Sequence, residues 1–290
     1  MGINCVSCNC GSVVSQQQTK VKEKGSFRAY GASQIASLAS APAGLLAMNG
    51  MQNENKKLSE DAIKTINSSV DKFIETSGLR AKGVKVVDCK TSGPAINLSG
   101  IKDTLESISN PTYAASQGKN AFFNSTTNEV VFSRKKGATA AFHEIGHAIN
   151  YNSSKFWKVM QCLRGPSMLI ASSLAIFGAF SKEEVAEEGK ELTKAQKAKN
   201  FTRKNIGAIT TASMLPVVAE EIMASVRGCK WANSNLPKEL AKKVRNTNIW
   251  GALSYTATAL GLGFAAHIAV KVKDSIMEKE KAKQETNIVQ

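Results

Sequence analysis

The sequence predicts a mainly α fold with a small β element and about three membrane-spanning or buried apolar helices. Three observations carry this. Ala62, Ile63, Ile66, Val70, Phe73 and Ile74 form an apolar stripe at helical spacing behind a capping Ser59-Glu60-Asp61. Ala121-Phe122-Phe123 and Val130-Val131-Phe132 flank a polar turn from Asn124 to Asn128 and read as a hairpin. Gly165 to Ser181, Asn205 to Ala219 and Ile249 to Val270 contain no Asp, Glu, Lys or Arg over 17, 15 and 22 residues.

In chain order, residues 1–55 read as a flexible Ser/Ala-rich tail, 56–270 as the folded domain and 271–290 as a charged C-terminal tail. The first helix stops at Thr76-Ser77-Gly78, and Val84 to Val87 reads as a short strand. A short helix is expected from Ile101 to Ile108, before Asn110-Pro111, and a strong one from Thr139 to Asn150. Apolar helices follow near 160–181, 204–220 and 249–270. At about 1.5 Å per residue only the third crosses a ~30 Å hydrocarbon core unaided. Met160, Cys162, Leu163 and Phe201 extend the other two, with Arg164 and Lys204 snorkelling outward. Between them, Lys182 to Arg203 reads as a solvated charged helix.

The chain has 38 basic and 23 acidic residues, a net charge of +15. The basic residues are scattered, without an Arg-rich block or interleaved aromatics, so a lipid bilayer is the expected anionic partner and nucleic acid is not expected. Cys5, Cys8 and Cys10 have no second cluster or nearby His to complete a zinc knuckle.

The chemistry lies in His143-Glu144-Ile145-Gly146-His147. On a helix, positions i and i+4 share a face, so both imidazoles can reach one Zn²⁺ while Glu144 serves as general base. With three His and 18 Glu in 290 residues, such a pattern arises by chance roughly 0.002 times per chain, so it is taken as a metal motif. A hydrolytic zinc site needs a third protein ligand. The remaining His267 lies deep in the last apolar run and reads as a satisfied or interfacial residue. A carboxylate is therefore expected, from Glu220 or Glu221 at the end of the second apolar helix, where two acids are costly without compensation.

These residues resemble a known family. Glu221, Ala224, Ser225 and Arg227 form Glu-x-x-Ala-Ser-x-Arg, similar to the third-ligand helix of the bacterial neutral zinc membrane metallopeptidases and, more distantly, of Ste24/HtpX-like gluzincins. Ala141 to Ile149 resembles the family's zinc helix, Asn124 to Ser133 the strand before it, and Ala252 to Leu260 its closing apolar helix. The resemblance implies a zincin-like catalytic core with one Zn²⁺ held by His143, His147 and Glu221. Ser225 stands where the broader group often has an Asp supporting a zinc-binding His. Arg227 and Tyr255 resemble polar groups near such sites. Leu215-Pro216-Val217 resembles a Leu-Pro-Val that abuts the ligand in the family; here Val218-Ala219-Glu220 intervene, which keeps Glu220 as the rival register.

The expected function is a membrane metallopeptidase that hydrolyses protein or peptide substrates by metal-activated water, with Glu144 as base. The strand near Val130 to Phe132 is expected to receive an extended substrate. No secretory signal is recognisable, so the catalytic face is expected on the cytoplasmic side of an integral membrane protein. The alternatives are a non-catalytic membrane protein with a structural zinc site and a basic membrane-surface adaptor.

Overall fold

The computed structural model describes residues 26–34, 49–55, 58–89 and 110–289. The elements are α1 Glu60–Thr76, β1 Lys85–Asp88, α2 Pro111–Ser116, β2 Phe122–Asn124, β3 Glu129–Phe132, α3 Ala141–Ser153, α4 Lys155–Cys162, α5 Arg164–Phe180, α6 Lys194–Lys204, α7 Ile206–Ser213, α8 Leu215–Asn235 and α9 Lys238–Val289. The described part is mainly helical, with one small sheet. It divides into two units. One comprises residues 41–167 and 214–259, and the other residues 1–40, 168–213 and 260–290.

The first unit is built around the sheet. Its strand order is β1-β3-β2, with β1 parallel and β2 antiparallel to β3. The strand expected to receive substrate is corrected here: β3 is paired on both sides, and the outer edges belong to β1 and β2. Ser59 caps α1 by accepting from Ala62 N–H, as its position before Glu60-Asp61 suggests. The stripe residues Ile66, Val70, Phe73 and Ile74 are buried against Val130 and Phe132 of the sheet, Phe142 and Ile145 of α3, and Val244 of α9. Trp231 of α8 stacks on Phe73 and Phe142 at centroid distances of 4.6 and 5.7 Å.

The second unit packs helices through small residues. Ile206 of α7 is buried with Ala175 of α5 and Ala266 and Val270 of α9. A Cβ on Gly207 would lie 3.0 Å from Gly263 O and 3.2 Å from His267 Cβ, so α7 and α9 approach closely there. His267 is an exposed residue of this unit. Arg203, buried, donates to Asp274 at 2.6 Å.

Three helices are long and apolar enough to cross a membrane: Lys155–Phe180, Ile206–Asn235 and Lys238–Gln284. Several sequence expectations are corrected. The second apolar helix runs on to Asn235, so Glu220 and Glu221 lie inside it and not at its end. Residues 26–34 and 49–55 of the supposed tail are helical, and Asn55 accepts from both Thr139 N–H and Thr139 Oγ1. The charged 271–290 segment continues α9 through Val289. The acid-rich stretch 182–193 is not helical. Glu183/Glu187 and Glu184/Glu188 would be like-charge i,i+4 pairs, and the helix begins only at the capping box of Thr193 and Gln196. The helix expected at Ile101 to Ile108 and the N-terminal cysteines lie outside the described residues.

In the first unit α3 and α8 touch backbone to backbone. A Cβ on Gly146 would overlap Ala224 O, and one on Gly228 would lie 2.7 Å from Phe142 O. Gly146→Ala and Gly228→Ala should each cost about 1–3 kcal/mol by overpacking, read as lower unfolding midpoints in detergent. Gly31→Ala, whose Cβ would meet nothing within 4 Å, is the control. It should be neutral or gain up to about 1 kcal/mol from helix propensity.

Candidate metal centre

Three elements of the first unit converge on one cluster. The α3 helix is buried on all sides from Ala141 to Ala148, and its i,i+4 spacing places His143 and His147 on a common face, 8% and 5% exposed. The contact made at Gly146 draws α8 close enough for Glu220 and Glu221 to meet them, at 0% and 1% exposed. The break at Leu163 between α4 and α5 places Arg164 beside both acids.

The geometry separates the roles of two adjacent carboxylates. His143 Nε2 lies 3.0 Å from Glu221 Oε2 and 2.9 Å from His147 Nε2. The third side, His147 Nε2 to Glu221 Oε2, is 3.6 Å. On the far sides of the rings, His147 Nδ1 is 2.8 Å from Glu220 Oε1, and His143 Nδ1 is 3.1 Å from Ser225 Oγ. With Nδ1–H donating outward in both rings, both Nε2 lone pairs point at the space shared with Glu221. Glu220 therefore orients an imidazole, while Glu221 faces the other two donor atoms.

Glu144 sits beside this triangle, and its carboxylate belongs with the two imidazoles to a buried group able to hold a metal ion. A second such group is His147, Glu220 and Glu221. The backbone N–H of Phe123 on β2 donates to Glu144 Oε2 at 2.8 Å, tying the acid to the sheet's outer strand. Burial raises the Glu144 carboxyl above its ordinary value, against the opposing pull of His147 and His143. Burial alone would lower the His147 imidazole, but the Glu221 charge and the bond to Glu220 prevail and push it up to about 10. The surrounding carboxylates thus favour positive charge at His147.

Beyond the cluster lies a cavity of about 560 Å³, walled by His143, Glu144 and His147 on one side and by Phe122, Arg164 and Tyr255 among others. Of the residues singled out from sequence, Ser225 and Glu220 contact the imidazoles, and Tyr255 lines the cavity, its hydroxyl 3.2 Å from Arg164 Nη2. Arg227 does not join them: it donates to Ser153 Oγ at 3.1 Å on the exposed side of α8.

Sequence reasoning missed two residues. Arg164 was expected to snorkel outward, but its Nη1 donates to Glu220 Oε2 at 2.8 Å. Its Nη2 stands 2.5 Å from Glu221 Oε1, an ion pair without hydrogen-bond alignment. Asn150, three residues after His147, donates from Nδ2 to Glu220 Oε1 at 2.8 Å. A single polar residue at i+3 from a ligand position was the available signal for Asn150. For Arg164 it was a lone cation beside an uncharged run.

The chain matches no protein-family model, no curated protein and no solved structure.

Asn150→Ala removes a donor from a buried carboxylate oxygen. It should lower stability by about 1.5–3 kcal/mol, the worth of a hydrogen bond to a charged group, measured by chemical unfolding in detergent.

Proposed function

We propose that the chain is a membrane-embedded zinc peptidase with a zincin-like centre. The observation that carries this reading is the triangle of His143 Nε2, His147 Nε2 and Glu221 Oε2, with sides of 2.9, 3.0 and 3.6 Å. A tetrahedral ion bound at about 2.0–2.1 Å spaces its ligand atoms about 3.3 Å apart, and two imidazoles with a carboxylate are a zinc donor set. These donors fit the ion, and the adjoining cavity gives a substrate access to it. The likeness to bacterial neutral zinc membrane metallopeptidases stated for the sequence belongs to the same reading, as do the three apolar helices as membrane spans.

When bound, zinc supplies a Lewis acid that activates water and polarises a carbonyl. Glu144 then acts as general base, accepting a proton and later delivering it to the leaving amine. The hydrogen bond that its Oε2 accepts from Phe123 N–H fixes where the proton is taken. Glu220 and Ser225 hold the imidazoles in orientation. The outer strand β2 lines the cavity through Phe122 and Phe123, so an extended peptide adds there, beside Glu144. Arg227 takes no part.

Elemental analysis of detergent-purified full-length protein tests the reading. One zinc per chain is expected, lost in Glu221→Ala. In Glu220→Ala it should be retained with about 10–100-fold weaker affinity, the usual cost of removing a group that orients a ligand. Glu144→Gln should keep the zinc and lose about 10²–10⁴-fold of peptide cleavage, scored by mass spectrometry on a peptide library. Folded wild type without zinc overturns the proposal. Zinc retained together with undiminished cleavage in Glu144→Gln removes Glu144 as base.

A further inference from the structure

The two buried carboxylates each divide their oxygens between two tasks. Glu220 gives Oε1 to His147 and Asn150 and Oε2 to Arg164. Glu221 turns Oε2 toward the imidazole nitrogens and Oε1 toward Arg164. The guanidinium is itself fixed: it lies over the Tyr255 ring at 5.4 Å from the centroid, and Nη2 is 3.2 Å from the Tyr255 hydroxyl. One planar fork thus meets two neighbouring acids and one aromatic, all within the first unit.

We propose that Arg164 is a positioning residue that keeps Glu221 on the metal through one oxygen only. The inference rests on the metal-site reading above. A carboxylate can bind an ion through one or both oxygens, and nothing on Glu221 itself decides which. Arg164 decides it by holding Oε1 away from the triangle with a full opposite charge beside a carboxylate that is itself buried. With Oε1 held, the protein contributes three donor atoms, which leaves a coordination position for the reacting water on the cavity side. Released, Oε1 swings to the ion and competes for that position. The same fork restrains Glu220, so a single residue sets both the ligand carboxylate and the one that orients His147. Lys at this position would keep the charge but present one compact ammonium, unable to grip both acids in a fixed plane.

The test replaces zinc by Co²⁺ in detergent-purified full-length protein and reads the visible absorption per bound ion, which is strong for four-coordinate and weak for five-coordinate cobalt. Wild type should show the strong band. Arg164→Gln should lose it several-fold, and Arg164→Lys should lose part of it. A purely structural role would lower the folded fraction or the amount of cobalt bound and leave the absorption per ion unchanged. Should Arg164→Gln not fold, Arg164→Lys decides, since it keeps the buried positive charge. Cobalt bound by wild type and by either folded variant with the same absorption per ion overturns the inference while the metal site stands. Wild type that binds neither cobalt nor zinc overturns the metal-site reading, and this inference with it.

Discussion

The arrangement depends on making two adjacent, fully buried carboxylates tolerable. An uncompensated carboxylate moved out of water costs several kcal/mol even after relaxation. Glu220 and Glu221, consecutive on α8 and 0% and 1% exposed, would place two such charges together. Every polar group around them answers that problem. Arg164 bridges one oxygen of each acid, Asn150 and His147 take the second oxygen of Glu220, and the two imidazole Nε2 atoms face the second oxygen of Glu221. One guanidinium cannot neutralise two carboxylates, so further positive charge is still wanted beside them, on His147 or as a bound cation. The push of His147 to about 10 expresses the same deficit.

Backbone proximity makes the compensation geometrically accessible. Because Gly146 and Gly228 lack side chains, α3 and α8 approach until Ala224 O and Phe142 O fill the places where Cβ atoms would stand. This brings Glu221 Oε2 within 3.0 Å of His143 Nε2 and leaves Ser225, one turn further along α8, to meet His143 Nδ1. Charge and packing are coupled: a wider helix separation would strand the acids, and without the acids the close crossing would bring together nothing but imidazoles. Asn55 accepts from Thr139 N–H and Oγ1 just before α3, where no side chain caps that helix, and so fixes its N-terminal end.

Much of this was legible in the sequence because it depends on periodicity. The spacing of His143 and His147 requires a common helix face wherever a helix forms, and the stripe from Ile66 to Ile74 requires a buried one. The hairpin of β2 and β3 was visible as two apolar runs around a polar turn, but which strand would stand in the middle was not. That depends on the parallel pairing of β1, contributed from more than 40 positions upstream. The resemblance favoured Glu221 as ligand with Glu220 as the rival register, and in the structure both enter the cluster, from opposite sides of His147. Arg164 was misread because a cation at the edge of an apolar run has the same sequence signature whether it reaches out to solvent or in to an acid. Only the position of the acids on another helix distinguishes the two.

The outer face of α8 adds a last constraint. Ile222 and Val226 are 45% and 52% exposed, yet Ile222 directly follows the two most deeply buried acids among the described residues. Around the site this stretch of α8 thus turns two carboxylates inward and Ile222 and Val226 outward, the reverse of what a helix on a water-facing surface does there. Leu163 on the α4 side and Leu253 on α9 are likewise exposed, each next to a residue of the site, Arg164 and Ser254. In water such a face would be an association liability. Under the membrane reading proposed above it is the lipid contact, and ionisable groups turned into the bundle are then the arrangement a bilayer demands. The hydropathy of the three helices and the inward convergence of Arg164, Glu220 and Glu221 are therefore two consequences of one distribution of side chains around the helix axes.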